Sequence, residues 1–326
     1  MAKGRLILRG FFGSSQIYPQ GNSDADTLNV TVATASFVGA DGKEKSVYSD
    51  LADARYTVRG AGGSTVYSRI LRGGGVRVRL QGIDAPELHY EPQGSKTFFR
   101  QPRGAYTSRR LNEGLRFYAG DEQPCELVTS VEKPGDAFDV YGRLIADVLV
   151  GAGPEKRDLN LQLLREGLAL PTFYNSMDTD EITAAIEATA IGKLAQDSIW
   201  KQYTGELSFD QSLLAPKLHE AVDDKQPDLG PVILPKLFRR FSTHIMGGGT
   251  PGGFKESLAT SAEKVLLTAD VLAGSAAATP KLFADFIDAT DPSKPTFTAA
   301  PGDIVFLETG GQLYLERPVG TFVPWT

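Results

Sequence analysis

Carboxylate and guanidinium side chains are grouped in three short segments of the sequence: DADT at 24–27, RLQGIDAPE at 79–87 and DVYGR at 139–143. In the second segment, Asp84 and Glu87 are three positions apart in a turn that Pro86 stiffens. Such a turn brings two carboxylates near one another. The third segment adds an arginine at the start of another strand-like stretch. The spacing therefore predicts a site in which acidic and basic side chains meet.

The chemistry open to such a site follows from the residue types. Asp26 and Asp84, with a backbone carbonyl and water, would form an oxygen-only cation site suited to Ca²⁺. Arg79 and Arg143 can each bind a phosphate through paired hydrogen bonds. Glu87 can orient or deprotonate a water molecule. These groups together are what hydrolysis of a phosphodiester requires.

Each of these residues taken alone also has a plainer interpretation. An Asp-x-x-Glu turn is more often a solvated surface turn, and an arginine on an alternating strand usually points outward. A purely structural ion-pair network would instead require Arg79 and Arg143 to be paired and buried.

The order of the motifs resembles that of the staphylococcal nuclease (thermonuclease) family. A fourth segment, LNLQLLREGLA at 159–169, and a closing helix that runs to Ile199-Trp200 complete the pattern. The resemblance covers about residues 20–204. It implies an OB-type barrel with helices and calcium-dependent hydrolysis of DNA and/or RNA that leaves 3′-phosphate ends.

The resemblance also implies roles for residues that act on the substrate. Arg79 and Arg143 match the two arginines that bind the scissile phosphate and stabilise the transition state. Glu87 matches the proposed general base. The family's tyrosines after the G-L-A helix align with Phe173 and Asn175, and Tyr174 lies between them. Tyr174 and Tyr141 of the Y-G-R motif are expected to contact the substrate.

The metal ligands follow from the same resemblance. Asp84 and Asp26 match the two calcium-ligating aspartates, and the backbone carbonyl of Ala85 matches the carbonyl ligand. The chain departs from the family by having Ala25 where glycine is usual and an insertion at about 40–75.

The elements needed to position these residues are visible as patterns along the chain. The first two-thirds of the sequence predicts an α+β fold, namely a five-stranded Greek-key barrel of OB type with packed helices. Period-two alternation predicts strands at 26–38, 76–83, 125–131 and 143–150. Helical spacing predicts helices at 104–118, 158–168 and 179–196.

Residues 205–326 carry no recognisable family motif, and the stretch at 204–230, where they begin, has no periodicity. We expect a domain at 1–204 and a smaller mixed α/β accessory domain at 205–326. The latter is predicted to hold helices at 256–273 and 280–289 and a hairpin at 303–316 that turns at Gly310-Gly311. A protein partner or self-association is the expected role of this part.

Composition limits the other possibilities. The chain has 326 residues and a net charge of −6, and most of the acidic excess lies after residue 204. The near-neutral first part predicts weak, less salt-dependent binding to nucleic acid. One cysteine, Cys125, excludes an intramolecular disulfide framework. No long apolar run predicts a membrane span. No signal peptide is visible, so we expect a cytoplasmic protein, and secretion stays open.

An alternative function comes from a different class. A catalytically silent module of the same fold would bind nucleic acid or a protein without cleaving it. Such modules usually lose part of the arginine and carboxylate set. The retention of Arg79, Asp84, Glu87 and Arg143 favours an active enzyme.

Overall fold

The computed structural model describes residues 3–13, 24–59, 64–119, 122–151, 153, 155–214, 230–274, 278–308, 311–317 and 321–325. The α-helices are α1 (Tyr48–Asp53), α2 (Gly104–Ala119), α3 (Leu159–Arg165), α4 (Thr179–Gly192), α5 (Pro235–Met246), α6 (Phe254–Thr260) and α7 (Thr268–Leu272). The first ten strands are β1 (Gly4–Gly13), β2 (Thr27–Val38), β3 (Glu44–Ser46), β4 (Ala54–Arg59), β5 (Thr65–Arg69), β6 (Gly75–Leu80), β7 (Ile83–Asp84), β8 (Glu122–Val131), β9 (Leu144–Val150) and β10 (Arg157–Asp158). The others are β11 (Leu170–Pro171), β12 (Phe173–Tyr174), β13 (Lys264–Leu267), β14 (Lys281–Leu282), β15 (Ile287–Asp288), β16 (Thr296–Phe297), β17 (Ile304–Phe306), β18 (Leu313–Arg317) and β19 (Thr321–Pro324).

Five strands close into a barrel in the order β1-β8-β9-β6-β2, and β2 pairs back onto β1. All of these pairings are antiparallel except β6 with β9. Alternation explains the closure, because every second residue of β9 is buried inside the barrel and its neighbours are half-buried. The predicted α+β fold with an OB-type barrel is confirmed.

The helix that follows the barrel is fixed to it by one buried amide. Asp158 caps α3 by accepting from the backbone N–H of Leu161. Asn160, the second residue of α3, donates from Nδ2 to the carbonyls of Gln81 and Ala146, at 2.9 and 3.1 Å. These carbonyls belong to β9 and to the residue that follows β6. Asn160 therefore holds together the strand ends from which the candidate site grows.

The predicted insertion forms β3, α1, β4 and β5. β4 and β5 pair as a hairpin, and β18 and β19 extend it into a four-stranded sheet. Tyr56 of β4 packs against Gly142, whose φ of +72° lies in the left-handed region. The insertion therefore contacts the turn that carries the third motif.

Two predicted helices in the C-terminal part are wrong. The predicted helix at 256–273 is divided into α6, β13 and α7, and Ala262 has a left-handed φ of 52° at the break. β13 pairs with β17, so tertiary pairing outweighs the helical spacing. The predicted helix at 280–289 is a short 3₁₀ turn, Phe283–Phe286, between β14 and β15.

The predicted hairpin at 303–316 is also wrong. Its first strand, β17, pairs with β13 and β12, whereas its second, β18, pairs with β4 and β19. Gly310 lies outside the described residues. Gly311 donates its N–H to the carbonyl of Phe138 at 2.9 Å, which directs the chain toward a different sheet.

Among the described residues there are two large hydrophobic cores and one small cluster, Leu88 with Ala105, and both large cores draw on residues from either side of position 204. The barrel core includes Leu313 and Trp325, and the second core combines Leu170 and Ile199 with the buried face of α5. The boundary at 204 stays a prediction. None of the helices in the described ranges is long and apolar enough to cross a membrane.

Candidate active site

The site lies where β6 leaves the barrel. After Leu80 the chain turns at Gly82, whose φ of +76° is costly for any residue with a Cβ. β7 follows at once and pairs with β11, with Asp84 opposite Leu170. The glycine in the R-L-x-G-I-D motif is therefore needed to bring Asp84 back beside Arg79.

Arg79 links two buried aspartates. Its Nη1 forms an ion pair with Oδ1 of Asp26, and its Nη2 forms one with Oδ1 of Asp84. Asp26 and Asp84 are 1% and 0% exposed. The second oxygen of Asp26 accepts the backbone N–H of Ala85 at 2.8 Å. The structure thus brings together the predicted residues of the first and second motifs.

Glu87 is held from its backbone. Its N–H donates to Oε1 of the buried Gln101 at 3.0 Å, and the Gln101 N–H donates to the Glu87 carbonyl at 2.9 Å. Gly104, the first residue of α2, lies so close to this carbonyl that a Cβ would clash with it. Asp24 is on the other side of the turn and accepts the N–H of Leu88 at 3.2 Å.

A residue from the C-terminal part completes the cluster. Arg239 of α5 forms an ion pair from Nη1 with Oε1 of Glu87. Its Nη1 and Nη2 donate to Oδ1 and Oδ2 of Asp84, both at 3.2 Å. Sequence reasoning missed Arg239. The available signal was Pro235 followed by apolar residues at helical spacing, which together mark a helix start.

The two acids of the second motif, Asp84 and Glu87, differ in the pKa of their carboxyl groups. Burial alone would raise the pKa of Asp84, but Arg239 and Arg79 outweigh it and hold that pKa at about 2. Burial raises the pKa of Glu87 to about 7; Arg239 opposes this rise, and the charges of Asp84 and Asp26 reinforce it. A carboxyl with a pKa near 7 suits a general base at neutral pH.

Arg143 contacts a different partner. Its Nε donates to Oδ2 of Asp139 at 2.7 Å, and its backbone N–H donates to Oδ1 of the same residue at 2.9 Å. Among the described contacts, none joins Arg143 to Asp84 or Glu87. Tyr141 lies beside Arg143 and is 63% exposed.

Tyr174 lies nearer the cluster. It follows β11 on β12, and its ring lies 5.1 Å from Nζ of Lys236. Burial raises the pKa of its hydroxyl; Lys236 opposes this rise, and Glu308 and Asp84 reinforce it. The phenol is therefore neutral and able to donate a hydrogen bond.

The predicted metal ligands fit a hard cation in type. Asp26, Asp84 and Ala85 supply only oxygen donors, which is the preference of Ca²⁺. Burial raises the pKa of Asp24 well above its usual value, and the negative charges of Glu87 and Asp26 add to this rise, so Asp24 retains its proton more readily than an exposed aspartate does. In the part of the chain that the structure describes, however, no group of three metal-binding side chains is arranged around one point. The carboxylates instead accept hydrogen bonds from Arg79, Arg239 and Ala85.

Comparison with known proteins matches the middle of the chain. Residues 77–202 match the family described as Staphylococcal nuclease homologue. A similar curated protein is the probable endonuclease lcl3 of Emericella nidulans (strain FGSC A4), which is 29% identical over 146 residues. Those residues are 43% of this chain and 48% of that protein, so the chain spans about half the length of the curated relative. The family match includes Arg79 and Glu87 and ends before Arg239.

Proposed function

We propose, from the match of residues 77–202 to the family described as Staphylococcal nuclease homologue, that the protein is a nuclease that hydrolyses phosphodiester bonds in DNA and/or RNA. One observation carries the proposal. A guanidinium, Arg79, and a carboxylate with a pKa of about 7, Glu87, lie in one buried cluster around Asp84. The probable endonuclease among the relatives supports the same class of reaction.

In the proposed reaction, Glu87 accepts a proton from a water molecule as the water oxygen attacks phosphorus. The bond from phosphorus to the 5′ oxygen breaks, and that oxygen takes a proton from solvent. The products are a 3′-phosphate and a 5′-hydroxyl. Arg79 donates N–H groups to the phosphoryl oxygens as their negative charge grows. The neutral hydroxyl of Tyr174 is a further proposed donor to the phosphate, and Tyr141 and Arg143 remain predicted substrate contacts.

Calcium is the cation that we propose for this reaction. Asp26, Asp84 and the carbonyl of Ala85 would hold it. When bound, the ion would place positive charge beside the phosphate and so stabilise the transition state. These residues accept hydrogen bonds from arginines in the structure, so cation binding requires that some of those bonds be exchanged.

The experiment is digestion of denatured DNA by the full chain at low salt, in millimolar calcium and in chelator. We expect cleavage in calcium alone. The product ends should block a DNA polymerase until a phosphatase removes the 3′-phosphate. Glu87→Gln serves as the matched control, because it keeps the size of the side chain and removes its basicity. We expect a loss of about 10²–10⁴-fold in turnover for this variant.

The silent module predicts a different result in the same assay. It would bind a labelled oligonucleotide without cleaving it, in calcium and in chelator alike. Cleavage at the wild-type rate by Glu87→Gln would instead remove Glu87 from its proposed role. Cleavage in chelator would remove the calcium requirement and leave the nuclease assignment in place.

A further inference from the structure

We propose that Arg239, outside the nuclease-like domain, is a second phosphate-binding guanidinium of the active site and acts with Arg79. The inference rests on the proposed nuclease function. It extends the site into the C-terminal part of the chain, whose role has so far been an open expectation.

Arg239 lies beside both Asp84 and the proposed base, Glu87. Arg79 and Arg239 both bind Oδ1 of Asp84, so their guanidinium groups meet at one carboxylate oxygen. Arg239 also contacts Glu87, the proposed base. A group that lies between the base and Arg79 is placed to contact the same phosphate as both.

Arg239 has more N–H groups than its described side-chain contacts use. A guanidinium has five N–H groups in one plane. The described contacts of Arg239 with side chains use Nη1 twice and Nη2 once. The Nε–H and one Nη2–H have no partner among them, and the side chain is 25% exposed. Arg239 can therefore bind a phosphate oxygen without first losing every carboxylate contact.

Helix α5 is firmly packed against the rest of the protein, as expected if Arg239 belongs permanently to the site and does not merely block it. Leu237, Phe238 and Phe241 are buried in the second core. Nε2 of Gln101 donates to the carbonyl of Ile233, just before α5, at 2.9 Å. The same Gln101 accepts the N–H of Glu87. One buried side chain thus ties the proposed base to the segment that carries Arg239.

A second link fixes the C-terminal half of the helix. The hydroxyls of Tyr90 and Thr243 are 2.9 Å apart, and Tyr90 follows Glu87 by three positions. Displacement of α5 would expose its buried aromatic side chains and break both links. The helix is accordingly a fixed wall of the site.

Arg143, the second arginine expected from the sequence, pairs with a residue outside the Asp84 cluster. Asp139 binds both the side chain and the backbone N–H of Arg143. In the described structure, Arg239 and not Arg143 is the second guanidinium in contact with Asp84 and Glu87.

The test compares Arg239→Ala with Arg240→Ala in the full chain. Arg240 is the next residue on the same helix, and it pairs with Glu263 at 2.6 Å, away from the cluster. We expect Arg239→Ala to lower kcat/KM on single-stranded DNA by about 10²–10³-fold, as for loss of one transition-state donor. Arg240→Ala should stay within about threefold of the wild type, since its ion pair with Glu263 is partly solvent-exposed and involves none of the proposed catalytic groups.

Two further measurements separate phosphate binding from support of the fold. Added guanidinium ion should partly restore cleavage by Arg239→Ala, because it replaces the missing group, and should not affect Arg240→Ala. Arg239→Lys keeps one positive charge without the planar donor pair and should still lose at least about tenfold. Thermal unfolding of each variant shows whether the chain is folded, and Arg239→Lys decides the question if the alanine variant is not.

The outcomes are distinct. Wild-type activity in folded Arg239→Ala overturns the inference, and so does increased activity, which would show that Arg239 covers the site. Loss without rescue by guanidinium, together with full activity of Arg239→Lys, shows a structural charge and also overturns it. If the wild-type chain cleaves nothing, the proposed function itself fails, and this result is separate from all of the others.

Discussion

The barrel and the C-terminal part reach the same site by different routes. The barrel contributes residues that are close in sequence, with Arg79, Asp84 and Glu87 on one strand end and one turn. The C-terminal part contributes Arg239 from a helix whose entry is fixed by Gln101, 132 positions from its partner Ile233. The first route is encoded in local spacing, and the second depends on tertiary packing.

The difference indicates which part of the chain contributes which residues to the proposed active site. The nuclease-like segment holds the proposed base, Glu87, together with Arg79 and Arg143, and these residues suffice to predict the chemistry from the sequence. The remainder of the chain adds a guanidinium to that chemistry and fills the second core behind it. If this comparison is right, the two parts should unfold together and a change in one should be felt in the other.

The largest effect on stability is expected from Phe238→Ala. The side chain is buried in the second core and packs edge-on against Phe209 and Tyr90. Removal of a buried phenylalanine ring costs about 3–5 kcal/mol. If the parts are coupled, the barrel loses the same stability, and the rate at which its buried Cys125 reacts with a thiol reagent in mild denaturant rises accordingly.

The matched control is Leu194→Ala, at a position that is 86% exposed. It should change neither the unfolding midpoint nor the labelling of Cys125. Two separate calorimetric transitions for Phe238→Ala, with only one of them shifted, would contradict the coupling. That result would support the boundary predicted at 204.

A smaller effect is expected from Gln101→Leu, which keeps the approximate volume and removes the polar link. It leaves the Glu87 N–H and the Ile233 carbonyl without this side-chain partner, at a cost of about 1–3 kcal/mol. Since the amide also aligns Glu87 with α5, we expect a parallel fall in cleavage rate. Gln162→Leu, at an exposed glutamine that pairs with Glu166, is the control. Full activity in Gln101→Leu would show that the core alone aligns the site.

The same contrast explains what the sequence alone could predict. Four strands of the barrel (β2, β6, β8 and β9) and α3 follow from alternation and from the cap at Asp158, which are local features. The fifth barrel strand, β1, was not predicted from the sequence, and its pairing with β2 and β8 establishes it. The segment at Lys264–Leu267 suits a helix or a strand, and only its pairing with β17 decides. Asp139 lies four positions before Arg143, so their pairing was visible as local spacing but competed with the expected role of Arg143 at the phosphate. Arg239 had no local signature of its partners, because Asp84 and Glu87 lie more than 150 positions earlier.

The smallest effect concerns an acidic group in the barrel that, unlike Asp84, has no arginine beside it among the described contacts. Burial raises the pKa of Asp147 to about 8, and Asp158 and Glu181 reinforce the rise. Its ordinary pKa is near 4, so between about pH 4 and pH 8 the unfolded chain releases this proton while the folded chain keeps it. The free energy of unfolding therefore falls progressively as pH rises through that range.

Asp147→Asn removes this dependence on pH, and its side-chain oxygen can still accept a hydrogen bond from Nδ2 of Asn160. We expect a gain in the free energy of unfolding at pH 8 that vanishes near pH 4, measured by urea denaturation at both values. An equal gain at both pH values would show that side-chain packing, and not the proton on Asp147, causes the gain. The difference between Asp147 and the arginine-paired Asp84 would then not be one of charge.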